Sequence, residues 1–530
     1  MLLGSNSVRR ALALIAIVAL GMLVLSPPLP AIKRSPVAKY VAPKLLADAL
    51  RIAKRLGPAG PSTEVHLNLA LKARDPRSGP DEKLASASVA TVRAAGLRAT
   101  WSKGSLLIAV DGPAPAAASL LQVDIENYRL GDGTIFYAAN GEPTIPASLA
   151  AVVSTVDGLD SFRKDRSFAV RPGGLTPVDV IAFYNLKPLI DSGLDGSGQT
   201  IVLPEIDNVP NLNDVNAFAK EFGLPPFDGL VDIKKDPGWG NPLNPQGEAA
   251  LDLEIIHEIA PKAKLVVYES GPSFTFVDRA FDQMVSDHLG SIISESLGAC
   301  ELGTTSGHRT LNSTIQDRAT ALGMTHFVAS GDGGAYTCGE SQAAAVSFPS
   351  SLPSVTAVGG TAVFQAADGS YGREMAWGSA IDQSGAGGGP SRFFDVPDYQ
   401  KAVDSTGHRQ VPDVAGAADP ATGFHIVFGG RDGQVGGTSA ATPLWAATTA
   451  LINQDLKRKG MREVGFANPA LYWMGANANA FTIRPFHDVT DGNNLLYKAG
   501  PGWDMATGWG SFDAVGLDQA WIKYIKANGA

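Results

Sequence analysis

A chain of 530 residues, 45% hydrophobic and 18% charged, can bury a sizeable core and is long enough for two or three domains. Its net charge of −9 and the lack of a basic patch argue against a nucleic-acid partner, and beyond residue 25 no stretch is long and apolar enough to span a bilayer. The charge is uneven: residues 28–172 carry +6 and residues 173–530 carry −17, which suits electrostatic docking within the chain or reflects uneven composition alone.

Arg9 and Arg10 precede an apolar run, Ala11 to Leu25, followed by Pro27-Pro28-Leu29-Pro30-Ala31. A helix of that length reaches about 22 Å, short of the roughly 30 Å hydrocarbon core. Residues 1–31 therefore read as an export signal, and the location as secreted or extracytoplasmic. The cleavage site is poor, so an uncleaved anchor over residues 11–25 stays open. Residues 35–165 form a first unit, with strand patterns at Val65 to Leu71 and Leu106 to Val110 and a helix pattern at Leu84 to Ala95. This mixture predicts an α+β unit, and the polar residues 166–177 a linker.

Residues 178–530 then alternate. Strands are expected at Thr200 to Ile206, Lys264 to Tyr268, Ser291 to Ser296 and His326 to Ser330. Helices are expected at Asp214 to Phe222, Glu248 to Ile259, Val277 to His288 and Thr310 to Leu322. That order implies an α/β fold, a parallel sheet with helices on both faces and sites beyond the carboxyl ends of the strands. Cys300 and Cys338, the two cysteines, read as a disulfide in an exported protein, or otherwise as two buried thiols.

Four motifs carry chemistry. Glu248 and Asp252, four apart, share one helix face. Buried, they would form a coupled acid pair able to act as a base; on a solvated face they would do nothing. Asp332 sits in Ser330-Gly331-Asp332-Gly333-Gly334 after a strand; it is a turn former or, kept protonated, a donor to an oxyanion. Ser439, in Gly436-Gly437-Thr438-Ser439-Ala440-Ala441-Thr442-Pro443, is a helix cap or a nucleophile at a helix start, with Pro443 expected in the helix's first turn. Asp488-Val489 with Gly500-Pro501-Gly502-Trp503-Asp504 offers carboxylates and loop carbonyls, hard oxygens suited to calcium, or simply turns. None of the eight histidines sits in a base motif, and His257-Glu258 lacks the second histidine of a zinc peptidase.

Taken together and in this order, the four motifs resemble the sedolisin family, the serine-carboxyl peptidases, over residues 40–530. Gly174-Leu175-Thr176-Pro177 and Gly508-Trp509-Gly510 add to the likeness, and Tyr137 to Asp160 resembles the end of the family's activation prodomain. The resemblance implies a subtilisin-like fold behind an α+β prodomain, and a peptidase made as a self-processing zymogen. It implies Ser439 as nucleophile, Glu248 as base, Asp252 as supporting acid and Asp332 as oxyanion donor. One structural calcium ion would be held by Asp488, Gly500, Gly502, Asp504 and the Val489 carbonyl. Glu205 would extend the proton network. Leu297 stands where many members carry an aromatic residue, which bears on that network and on subsite preference. The implied partners are peptide or protein substrates and the chain's own prodomain as inhibitor, in a monomer. The rival reading is an inactive secreted binding protein on a peptidase fold.

Overall fold

Alternating apolar side chains build two antiparallel sheets in the front segment. Strands Lys54–Pro58 (β1), Asp124–Arg129 (β5) and Ile135–Asn140 (β6) form one, in the order β1-β5-β6. Glu64–Leu71 (β2), Arg98–Thr100 (β3), Leu107–Pro113 (β4) and Val153–Asp157 (β7) form the other, in the order β3-β4-β2-β7. Helices Glu82–Ala94 (α1) and Ala114–Leu121 (α2) join them, and Asp81 caps α1 by accepting the Lys83 and Leu84 N–H groups. Val65, Leu67, Leu69 and Leu71 of β2 close one core with α1 and α2. The computed structural model describes residues 46, 50–73, 79–130, 135–162, 174–206, 210–235, 247–271, 273–339, 343–381 and 383–528. The expected export signal and most of the linker lie outside them.

The body is an eight-stranded sheet. Its strands are Thr200–Ile206 (β8), Val231–Lys235 (β9), Lys264–Ser270 (β10), Ile292–Glu295 (β11), Thr325–Ala329 (β12), Thr356–Gln365 (β13), Tyr371–Ala376 (β14) and Val414–Ala417 (β15). The order is β14-β13-β12-β11-β8-β10-β9, with β15 also on β13, and every pairing is parallel except β13 with β14. Period-two alternation sorts the side chains onto two faces. Ile201, Leu203, Leu265 and Val267 pack with helices Glu248–Ile259 (α3) and Thr438–Arg458 (α6). Val202, Val266 and Tyr268 pack on the opposite face with Phe274–Asp287 (α4) and Ser306–Ala321 (α5).

Ala70, Leu106 and Leu107 of the front segment join that second face, so the segment docks on α4 and α5. Arg279 of α4 donates to Asp111 Oδ1 at 2.9 Å, and Asp282 accepts Ser105 Oγ at 2.6 Å and the Leu106 N–H at 2.9 Å. In the Arg279–Asp111 ion pair the cation stands on the body, the reverse of the polarity that the composition suggested. Buried His308 Nδ1 lies 3.0 Å from Asp278 Oδ2 and 3.5 Å from Asp157 Oδ2, so an acid of the front segment shares its ring with an acid of the body. Among the described residues no helix is long and apolar enough to cross a membrane.

One local expectation needs correction. Pro443 is not in the first turn of its helix: α6 begins at Thr438, and Pro443 is inside it. The reason it is tolerated lies in the site itself.

Candidate active site

Strand ends and helix starts meet at the carboxyl edge of the sheet. Helix α3 is buried along its whole length, so the solvated-face reading of its acid pair is excluded: Asp252 is 0% and Glu248 8% exposed. Ser439 lies in the first turn of α6, where backbone N–H groups lack helical partners and the dipole is positive. Gly437 has φ +118°, and a β-carbon there would stand 2.6 Å from Asp332 Oδ2, so only glycine lets the loop close over that carboxyl group.

Pro443 has no N–H to offer the Ser439 carbonyl four residues back. That carbonyl instead lies 3.1 Å from the Ser296 hydroxyl, which also lies 2.8 Å from Asp252 Oδ1. A hydroxyl has one proton. Both contacts are hydrogen bonds at once only when Asp252 is protonated and donates to Ser296 Oγ while Ser296 donates to the Ser439 carbonyl. Burial, then the charge of Glu248, pushes the Asp252 carboxyl well above its ordinary range, which agrees with that assignment.

Glu248 is pushed up to about 7, first by burial; hydrogen bonding with Ser439 pulls it down and the charge of Asp332 adds to the rise. Ser439 Oγ donates to the Ser296 carbonyl at 3.3 Å. Asp332 Oδ1 accepts the Thr438 N–H at 2.8 Å and the Thr438 hydroxyl at 2.7 Å, and among the described residues buried Oδ2 has no partner beside the serine loop. Burial raises Asp332 to about 6 against those two bonds. Glu205, at the end of β8, is 1% exposed and held well above its ordinary range by burial, then by Asp252, Glu248 and Glu269.

A cleft of about 740 Å³ opens beside Ser439, lined in part by Ser296, Leu297, Asp332, Tyr336 and Thr438. Cys300 and Cys338 form a disulfide in its wall, joining the loops after β11 and β12. Phe162, near the end of the front segment, also lines it. Ser439 and Asp332 thus line the cleft, and Glu248 and Asp252 are buried behind it, Glu248 hydrogen-bonded with Ser439 and Asp252 with Ser296. Ser296 and Thr438 were missed from sequence. In the sequence Ser296 stands only as the last residue of an expected strand, and its place there, two residues before Gly298, is the available signal.

Asp488 and Asp504 meet in a separate loop cluster. The Gly502 N–H donates to both oxygens of Asp488 at 3.0 and 3.1 Å, and the Gly500 N–H to Asp504 Oδ2 at 2.9 Å. Among the described residues no backbone N–H donates to the carbonyls of Val489, Gly500 or Gly502. Two carboxylates beside open carbonyls are a donor set that fits calcium.

A serine at a helix start, on a parallel sheet with helices on both faces and a cleft at its carboxyl edge, fits a subtilisin-like serine peptidase. The chain matches the Subtilase family over residues 240–510 and the family "Pro-kumamolisin, activation domain" over residues 77–162. It is 34% identical to kumamolisin of Bacillus sp. (strain MN-32) over 447 residues, 78% of each chain. It is 31% identical to sedolisin of Pseudomonas sp. (strain 101) over 460 residues, 80% of this chain and 76% of that one. The solved structure of Pseudomonas sedolisin, a serine-carboxyl proteinase complexed with two molecules of pseudo-iodotyrostatin, aligns with TM-score 0.59 at 29% identity, covering 68% of this chain and all of that one. The chain belongs to the sedolisin family of serine-type peptidases and carries the activation prodomain of a zymogen.

Proposed function

We propose that this chain is an exported, acid-active serine-carboxyl peptidase in which Ser439 attacks the peptide carbonyl and Glu248 is its base. The observation that carries the reading is the burial of Glu248 and Asp252 on one helix face beside Ser439. Two acids held there cannot both ionise cheaply, so they share protons. Ionised Glu248 takes the proton from Ser439 Oγ as the Oγ–carbon bond forms, then returns it to the amine as the carbon–nitrogen bond breaks. Protonated Asp332 points Oδ2 at the developing oxyanion. Water, deprotonated by the same Glu248, then cleaves the acyl-enzyme. Asp252 and Glu205 hold the remaining protons. Acid keeps Asp332 protonated, and the coupled pair supplies the base whenever its remaining charge rests on Glu248.

The prodomain spans residues 35–165 in this reading, the linker 166–177 carries the processing site, and residues 178–530 are the peptidase. Phe162, near the end of the front segment, lines the cleft that holds Ser439, which supports this arrangement. Substrates are peptides or proteins, and the protein acts as a monomer. The test is processing of the full chain near pH 4. Ser439→Ala is expected to stay unprocessed, and Glu248→Gln to lose turnover by roughly 10⁴-fold. Normal self-processing of Ser439→Ala sinks the proposal.

Asp488, Asp504 and the carbonyls of Val489, Gly500 and Gly502 hold one structural calcium ion in this reading. Bound calcium supplies positive charge that fixes these loops; it takes no part in bond cleavage. Because such an ion binds only the folded state, a chelator is expected to lower the melting temperature and added calcium to restore it. An unchanged melting curve in chelator counts against the site.

A further inference from the structure

Strand β10 ends at a buried acid that the reaction outlined above does not use. We propose that Glu269 is a positioning residue of the active site, the outermost member of a buried carboxyl row that runs from Glu248 through Asp252 and Glu205. The proposal rests on the reading of Glu248 and Asp252 given above and extends it by one residue.

The placement follows from register. Strands β8 and β10 are parallel, with Glu269 opposite Glu205. Alternate residues of both strands, Ile201 and Leu203 on one and Leu265 and Val267 on the other, face α3 and α6. By the same alternation Glu205 and Glu269 stand side by side on that face, toward the helix that carries Glu248 and Asp252. Each is 1% exposed. The positions before them on this face are aliphatic, so an acid here breaks an apolar pattern that packing alone would continue.

The row shares open acceptors. Among the described residues neither oxygen of Glu205 has a hydrogen-bond partner, nor has Asp252 Oδ2 or Glu248 Oε1. Buried carboxyl groups so arranged hold fewer charges than members. The charge of Glu269 acts on Glu205, as do those of Asp252 and Glu248. A negative Glu269 therefore keeps the protons of the row in place. The proton on Asp252 is the one that Ser296 needs in order to donate to the Ser439 carbonyl. Glu269 thus acts on the nucleophile at second hand.

The groups facing Glu269 can be named. Among the described residues Glu205 faces it from β8, and Glu248 and Asp252 of α3 act on Glu205 in turn. On the other side its register partner is Lys235 of β9, on the same face as Val231 and Ile233 and exposed to solvent. The lysine opposes the effect of the acids, but its exposure leaves it screened.

The experiment is the pH profile of kcat/KM on the acid-activated full-length product, for wild type, Glu269→Gln, Glu205→Gln and the double variant. Removing the charge lets the row lose its protons at lower pH. Glu269→Gln is expected to move the alkaline limb down by about half a pH unit or more. In the Glu205→Gln background the same change is expected to move it little, because the effect travels through Glu205. A Glu269→Gln profile that superimposes on wild type overturns the proposal, even if the melting temperature falls. An equal shift in both backgrounds overturns it too. If Glu269→Gln does not mature, Glu269→Asp replaces it: the charge is kept but withdrawn by one methylene, and a smaller shift of the same sign is expected. Wild-type activity of Glu248→Gln would instead strike the base assignment, and it is scored separately.

Discussion

Asp332 shows how one carboxyl group can be read atom by atom. Its Oδ1 is committed to Thr438, and among the described residues its buried Oδ2 has no partner. Donation from Oδ2 requires a proton, and burial holds that proton to about pH 6. Asparagine reproduces both edges: its Oδ1 still accepts from Thr438, and its amide donates at every pH. Asp332→Asn is therefore expected to keep most turnover and to lose the part of the alkaline limb near pH 6. Asp332→Ala is expected to lower kcat by about 10²-fold or more with little change in KM. Steady-state kinetics from pH 3 to 8 separates them; an unaltered limb in Asp332→Asn removes this role. The residue itself was legible in sequence, from an aspartate between glycines after a strand. Its partner was not, because Thr438 lies more than a hundred positions away and meets Asp332 only when α6 is docked.

At the scale of elements, α6 and the end of β11 act as a pair. The alternation of strands and helices and the extent of α3 were readable from period and length, and α3 runs from Glu248 to Ile259 as expected. The helix start was misplaced because Pro443 reads as a first-turn residue, where its missing N–H is harmless. It lies deeper because the carbonyl it frees on Ser439 is taken by Ser296. Sequence patterns within one element cannot show a bond that satisfies it from another. Pro443→Ala supplies an N–H that competes for the Ser439 carbonyl and releases the Ser296 hydroxyl to Asp252. It is expected to preserve or raise helix stability while lowering kcat several-fold. Ser296→Ala, which leaves Asp252 and the carbonyl without their bridge, is expected to lower kcat by roughly tenfold, about the worth of one buried hydrogen bond. Thermal melting beside kcat checks both; a Pro443→Ala enzyme with wild-type kcat removes the argument for Ser296.

For the whole molecule, the shifted groups at the seam and in the body all tie the fold to lower pH. At the seam, His308 is pushed up to about 9: burial opposes its charge, but Asp278 and Asp157 overcome it. Between about 6.5 and 9 the folded chain keeps a proton that the unfolded chain releases, so this seam contribution is full below about pH 6.5 and is lost as pH rises toward 9. In the body the sign is the same. Glu374 accepts the Thr361 hydroxyl at 2.6 Å and the Ser511 hydroxyl, and burial raises it from 4.5 to about 7. Between those values the folded chain keeps a proton that the unfolded chain releases. Its contribution is thus full below about pH 4.5 and lost as pH rises to about 7, roughly 2–3 kcal/mol for a shift of this size. Glu301 and Glu248, each about 7, and Asp332, about 6, add in the same direction. The Ser439→Ala full chain, which would keep its prodomain, is expected to melt at progressively lower temperature from pH 5 to 7.5. Adding Glu374→Gln, a neutral group that keeps both hydroxyl neighbours, is expected to reduce that fall. Parallel melting curves for the two proteins across this range would show that Glu374 is not among the groups that tie the fold to acid.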